Sequence, residues 1–153
     1  MASTALARGQ TAEEVLDRNL AELLQEMRVA ITGVQVLFAF LLTLPFSARF
    51  EELGVFGTTV YAITLLSTAS ATLVLIAPVS FHRTLFRRRR KEQLVAFADR
   101  ALLVGLALLL VGITSAVLLV LDVVLGRWPA YAGGAVVVLL GSVTWYGLPL
   151  RHR

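Results

Sequence analysis

Residues 77–125 read APVSFHRTLFRRRRKEQLVAFADRALLVGLALLLVGITSAVLLVLDVVL, and this stretch decides the fold. Five consecutive basic residues, Arg87, Arg88, Arg89, Arg90 and Lys91, stand between long apolar runs. The run after them, 101–125, holds a single charged side chain, Asp122, and the run before them, 58–79, holds none. A hydrocarbon core ~30 Å thick needs about 20 mostly apolar residues per helix. Both runs meet that length, so the chain is expected to cross a bilayer on either side of a basic loop.

Working outward, two further stretches qualify, 29–45 and 129–148. The 153-residue chain is 58% hydrophobic with a mean hydropathy of +0.80, and only 16% of it is charged. A soluble domain carries roughly a quarter charged residues. Little chain is left for a separate soluble domain. The expected fold class is an all-α membrane protein with four transmembrane helices. An N-terminal amphipathic cytoplasmic helix precedes them, continuous with or bent from the first span. The expected division is a disordered tail over 1–10, the amphipathic helix over 11–28, the transmembrane domain over 29–148 and a basic cytoplasmic tail over 149–153.

Sidedness follows from counting Lys and Arg. Arg8, Arg18 and Arg28 precede the first span, Arg83, the basic run and Arg100 lie between the second and third, and Arg151 and Arg153 end the chain. The opposite side has only Arg49 and Arg127. The positive-inside rule then places both termini and the middle loop in the cytoplasm of a multi-pass plasma-membrane protein. The net charge of +4 and pI near 10.3 fit anionic lipid better than nucleic acid, because the basic cluster abuts an apolar span. Arg83, Arg87, Arg88, Arg89, Arg90 and Lys91 are the expected lipid contacts. The chain has no cysteine, which excludes disulfides and thiolate chemistry. Its opening is polar rather than basic and then apolar, so the first span is expected to serve as an uncleaved insertion signal.

Local signals support helices throughout. Thr11-Ala12-Glu13-Glu14 fits a capping box. Val15, Leu16, Leu20, Leu23, Leu24 and Met27 recur at helical spacing beyond it. Glu14 and Arg18 form a favourable i,i+4 pair. No proline separates this segment from the first span, so one helix from about Thr11 to Leu44 is the simplest reading. It either projects into the cytoplasm or bends near Arg28. Pro45 ends it. Residues 92–100 read as a short amphipathic connector, and Gly126-Arg127-Trp128-Pro129 as a tight turn, with Pro129 in the first turn of the fourth span. Trp145 and Tyr146 suit an aromatic belt.

Three groups of residues carry candidate chemistry. Gln25, Arg28, Thr32, Gln35, Ala39 and Thr43 recur at offsets of three and four on the first helix. An amide at hydrocarbon depth needs a partner. This stripe, with Asp122, is either an ion or proton pathway in an oligomer or a polar packing seam in which Gln35 bonds hydroxyls of the second span. Asp122 is also close enough to the end of its span to pair with Arg49 or Arg127. Glu22, Glu26 and Arg28 form a charged cluster at the foot of the first span, for which the basic loop is the expected bridge. Small residues at four-residue spacing (Ala101 and Gly105, Gly112 and Ala116, Ser67 and Ala71) allow close helix contacts. His82 and His152 are far apart and lack accompanying ligands, and nucleotide, metallopeptidase and phosphate-loop motifs are missing. Neither an enzyme nor a cofactor or metal is expected.

Asp17-Arg18-Asn19-Leu20, then residues 22–29 (ELLQEMRV) and 33–46 (GVQVLFAFLLTLPF), resemble the opening of a family of small actinobacterial four-helix membrane proteins of unknown function. Tyr61, Ala77-Pro78, His82-Arg83 with Phe86 and the basic run, and Leu121-Asp122-Val123 extend the resemblance over nearly everything from Asp17 onward. It implies the same four-helix fold and names no reaction. Some relatives are labelled sodium:proton antiporters. The expected function is an oligomeric scaffold, regulator or accessory subunit that works through assembly and lipid contact. The alternative is an oligomeric ion or proton pathway lined by the first helix. A homo-oligomer is the expected assembly, and the sequence names no other protein partner.

Overall fold

The structure, a computed structural model, describes residues 12–85 and 91–147. Thr11, the two tails and Arg87, Arg88, Arg89 and Arg90 lie outside the described residues, as do the side chains of Arg83 and Lys91. The described residues form helices and short helical turns, with no strand among them. Four helices are long and apolar enough to cross a membrane, over Asp17–Phe46, Val55–Ser80, Leu94–Leu125 and Arg127–Gly147.

Helix α1 runs without a break over Ala12–Thr43, 32 residues or about 48 Å at 1.5 Å per residue. Its buried side chains are Leu20, Met27, Val34 and Leu41, each seven residues after the last. A seven-residue repeat keeps one seam facing its neighbours along a gently supercoiled helix. Met27 and Val34 join Ala71, Leu75, Ala101 and Leu109 in one apolar cluster. Leu41 joins Val60, Tyr61 and Leu119 in a second.

Pro45 forces the end of α1. The backbone tightens into 3-10 turns at Leu44–Phe46 and Ala48–Phe50, separated by an extended Ser47. In a continuing helix the Leu41 carbonyl would accept the N–H of residue 45, and proline has none. The Tyr61 hydroxyl, from the next helix, donates to that carbonyl at 3.1 Å.

Helix α2 spans Val55–Leu85. It begins before residue 58 and continues through Pro78, beyond the expected end at 79. Pro78 is fully buried, and a packed membrane helix tolerates the backbone bond that proline removes. Thr64, Thr68 and Thr72 each donate to the carbonyl four residues back in their own helix, at 2.8–2.9 Å.

Helix α3 spans Lys91–Leu125. Residues 92–100 are its first turns rather than a separate connector. Leu94, Ala98, Ala101, Gly105, Leu109 and Gly112 make one buried seam at three- and four-residue steps straight across Arg100. Gly126 then turns the chain with φ 88°, a conformation that favours glycine. Helix α4 spans Arg127–Ser142 and ends in a π-helical turn, Val143–Gly147.

Helices α2 and α3 are the most closely packed pair, α1 lies against both, and α4 packs on α3. Small residues set these distances. A Cβ on Gly105 would lie 2.5 Å from Leu75, and one on Gly112 2.8 Å from Thr68. Gly133 and Gly141 of α4 face Leu121 and Leu110 of α3 in the same way. Trp145 packs against the Met27 cluster, and the Tyr146 hydroxyl donates to the Leu103 carbonyl at 3.1 Å.

Candidate functional site

The polar stripe of α1 lies on the outside of the protomer. Gln25, Arg28, Thr32, Gln35, Ala39 and Thr43 are all exposed, whereas Leu20, Met27, Val34 and Leu41 face inward. The packing seam expected between Gln35 and the second span is therefore not formed. Thr64, Thr68 and Thr72 of α2 donate instead to carbonyls of their own helix. Thr32 and Thr43 are likewise satisfied locally, donating to the carbonyls of Arg28 at 3.0 Å and Phe40 at 2.7 Å. Gln35 has no side-chain hydrogen bond to any described residue. It sits ten residues before Pro45, about 15 Å along the helix.

At the foot of α1 the charged side chains face outward. Glu22 meets a cation on its own helix, with Arg18 Nε 3.6 Å from its Oε1, and both side chains are well exposed. Glu26 and Arg28 also point outward. The basic run expected to bridge them lies outside the described residues.

At the far end of the helices, the α1–α2 loop meets the α3–α4 turn. Arg127 Nε donates to Asp122 Oδ1 at 2.8 Å. The same guanidinium lies 3.7 Å over the Phe56 ring, a cation–π contact. Phe56 and Tyr131 meet edge to face at 6.1 Å. Arg49, Glu52, Asp122 and Arg127 line an open cleft of about 410 Å³ with the apolar residues around Phe56. Of the two arginines open to Asp122 by sequence, Arg127 holds it. Gly126 brings the two together by reversing the chain within one residue. Among the described residues no three of His, Cys, Asp and Glu gather as metal ligands would.

Two contacts escaped the sequence reading. Tyr61 stood out there only through resemblance, although Pro45 is itself the signal that the Leu41 carbonyl needs a donor. Phe56 carried no signal, since its partner Arg127 is far along the chain.

Four long apolar helices, which take up nearly all of the described residues, define a small multi-pass membrane protein. The chain belongs to the family of unknown function DUF6328, whose profile matches residues 9–149. No curated protein and no solved structure matches it significantly.

Proposed function

We propose that this protein acts by assembling in the plasma membrane and gripping anionic lipid, as a scaffold, regulator or accessory subunit. One observation carries the reading: Thr64, Thr68 and Thr72 are satisfied on their own helix, whereas the Gln35 amide, with no side-chain hydrogen bond to any described residue, points out of the protomer. A face of that kind is suited to meeting another surface. In this reading Arg83, the run Arg87 to Arg90 and Lys91 lie on the cytoplasmic side against anionic head groups, each worth about 1 kcal/mol near such a surface. No catalytic group is assigned.

A second reading draws on the same stripe. An oligomer with α1 at its centre would place Gln35, Thr32 and Thr43 along an axis, making an ion or proton pathway. Flux from proteoliposomes separates the two. The assembly reading expects no cation or proton flux above empty liposomes at any pH or voltage, and expects neutralising the basic run to weaken retention on anionic vesicles. Flux that Gln35→Leu abolishes would install the pathway reading instead. Unchanged vesicle retention after neutralisation would remove the lipid contact.

Topology is tested separately. The natural chain lacks cysteine, so single cysteines report cleanly. Ser47→Cys is expected to react with an impermeant maleimide added to intact cells, and Ala5→Cys only after lysis. The reverse pattern would overturn the proposed orientation.

A further inference from the structure

Helix α1 carries two seams of the same period. The first, Leu20, Met27, Val34 and Leu41, is buried within the protomer. The second places Gln25, Thr32 and Ala39 seven residues apart, with Arg28, Gln35 and Leu42 three residues after each. That is the a/d spacing of a two-stranded supercoil, filled here mainly by polar and small residues, and every one of its positions is exposed. Val36, beside it, is 69% exposed.

We propose that this second seam binds a second copy of the chain, with the two α1 helices parallel about a two-fold axis along the membrane normal. The inference rests on the assembly reading above and names its partner and surface. The argument is chemical. Lipid tails cover Val36 or Leu42 without penalty, but they cannot satisfy an amide. At about 15 Å along the helix from Pro45 and about 10 Å from Arg28, the short Gln35 side chain is too deep in a ~30 Å core to reach the head groups. A partner must therefore bring a donor and an acceptor to the same depth. A two-fold axis along the membrane normal brings each residue to its own counterpart. An amide holds both a donor and an acceptor, so two Gln35 side chains satisfy each other. Thr32 and Ala39, one turn to either side, are small enough to let the backbones approach. Arg28 lies about 10 Å nearer the foot of the helix, where its long stem reaches water and relieves like-charge contact.

Single-cysteine oxidation with copper phenanthroline in lipid vesicles tests the geometry. Thr32→Cys and Ala39→Cys are expected to form disulfide-linked dimers. Val34→Cys on the inner seam is not, nor are Leu73→Cys and Leu139→Cys on the outer faces of α2 and α4. Gln35→Leu is expected to raise the dimer dissociation constant about three- to thirty-fold, the range of an interhelical hydrogen bond in lipid. Gln35→Asn should restore part of that loss. Dimers that form instead through Leu73 or Leu139 would overturn this surface and leave assembly standing. A monomer in lipid at all concentrations would overturn both. Modification of Val36→Cys by a membrane-impermeant maleimide would show water along the seam, overturning the close two-fold contact in favour of an aqueous axis.

Discussion

The Tyr61 hydroxyl donates to the Leu41 carbonyl at 3.1 Å, four residues before Pro45. One side chain on α2 thus replaces the backbone donor that proline withholds from α1. The contact is buried, and Tyr61 also meets the Phe50 ring edge to face at 4.9 Å. Helix end, loop and following helix are held at one point.

Tyr61→Phe keeps the ring and removes the donor. It is expected to destabilise the protein by about 1 kcal/mol, the net worth of a typical buried hydrogen bond. Thermal unfolding in detergent measures this. Pro45→Ala supplies an N–H at residue 45 and should recover part of the loss in the double variant. Equal losses from Tyr61→Phe in both backgrounds would break the link to Pro45.

The Asp122–Arg127 pair has side chains 16% and 48% exposed respectively. Arg127 is the more exposed partner, and a pair that reaches water is limited by screening. Asp122→Asn is expected to lower the melting temperature by less than Tyr61→Phe does. The loss should shrink at high salt and be smaller still when Arg127 is already Gln. A salt-independent loss would mean that the carboxylate matters for something other than this pair.

Gly105→Ala would push a methyl group into Leu75, with its Cβ 2.5 Å from Cδ2 and 2.6 Å from Cγ. Overpacking of this kind costs about 1–3 kcal/mol, and Leu75→Val should relieve part of it. Gly33 has nothing within 4 Å of the corresponding position. Gly33→Ala should leave the protomer as stable or up to about 1 kcal/mol more stable through helix propensity. Melting temperatures of the two variants should therefore move in opposite directions or differ clearly in size.

Thr114 Oγ1 is buried and, among the described residues, has no hydrogen-bond partner. Removing an unpaired buried hydroxyl while keeping its shape relieves a desolvation cost. Thr114→Val is expected to be neutral or slightly stabilising in the same unfolding assay. A clear loss would reveal that the hydroxyl has a partner in the membrane.

The spans were legible because hydrocarbon demands long apolar helices, and 101–125 announces one by composition alone. Their ends were less legible. Residues 92–100 looked like a connector because Glu92, Asp99 and Arg100 interrupt the apolar run, yet Leu94, Ala98 and Ala101 already carry the buried seam of α3. Periodicity crossed the boundary that charge drew. On α1 the polar stripe was visible, but its direction was not. Two seven-residue patterns share that helix, and only packing against α2 and α3 decides which one turns inward. Asp122 and Arg127 were legible as neighbours because just one turn separates them, whereas nothing local ties Phe56 to Arg127.

The single-residue turn at Gly126 bears on biosynthesis. The α3 span is the most apolar, with a mean hydropathy of 2.7, and the α4 span the least, at 1.3. A segment as mildly apolar as α4 partitions from the translocon weakly by itself. Joined tightly to α3, it need not enter unaided: a pair that passed into lipid as one hairpin would let the more apolar α3 carry its weaker neighbour along. Lengthening that junction with a flexible polar insert would uncouple the two, leaving some chains with their last segment stranded on the wrong side.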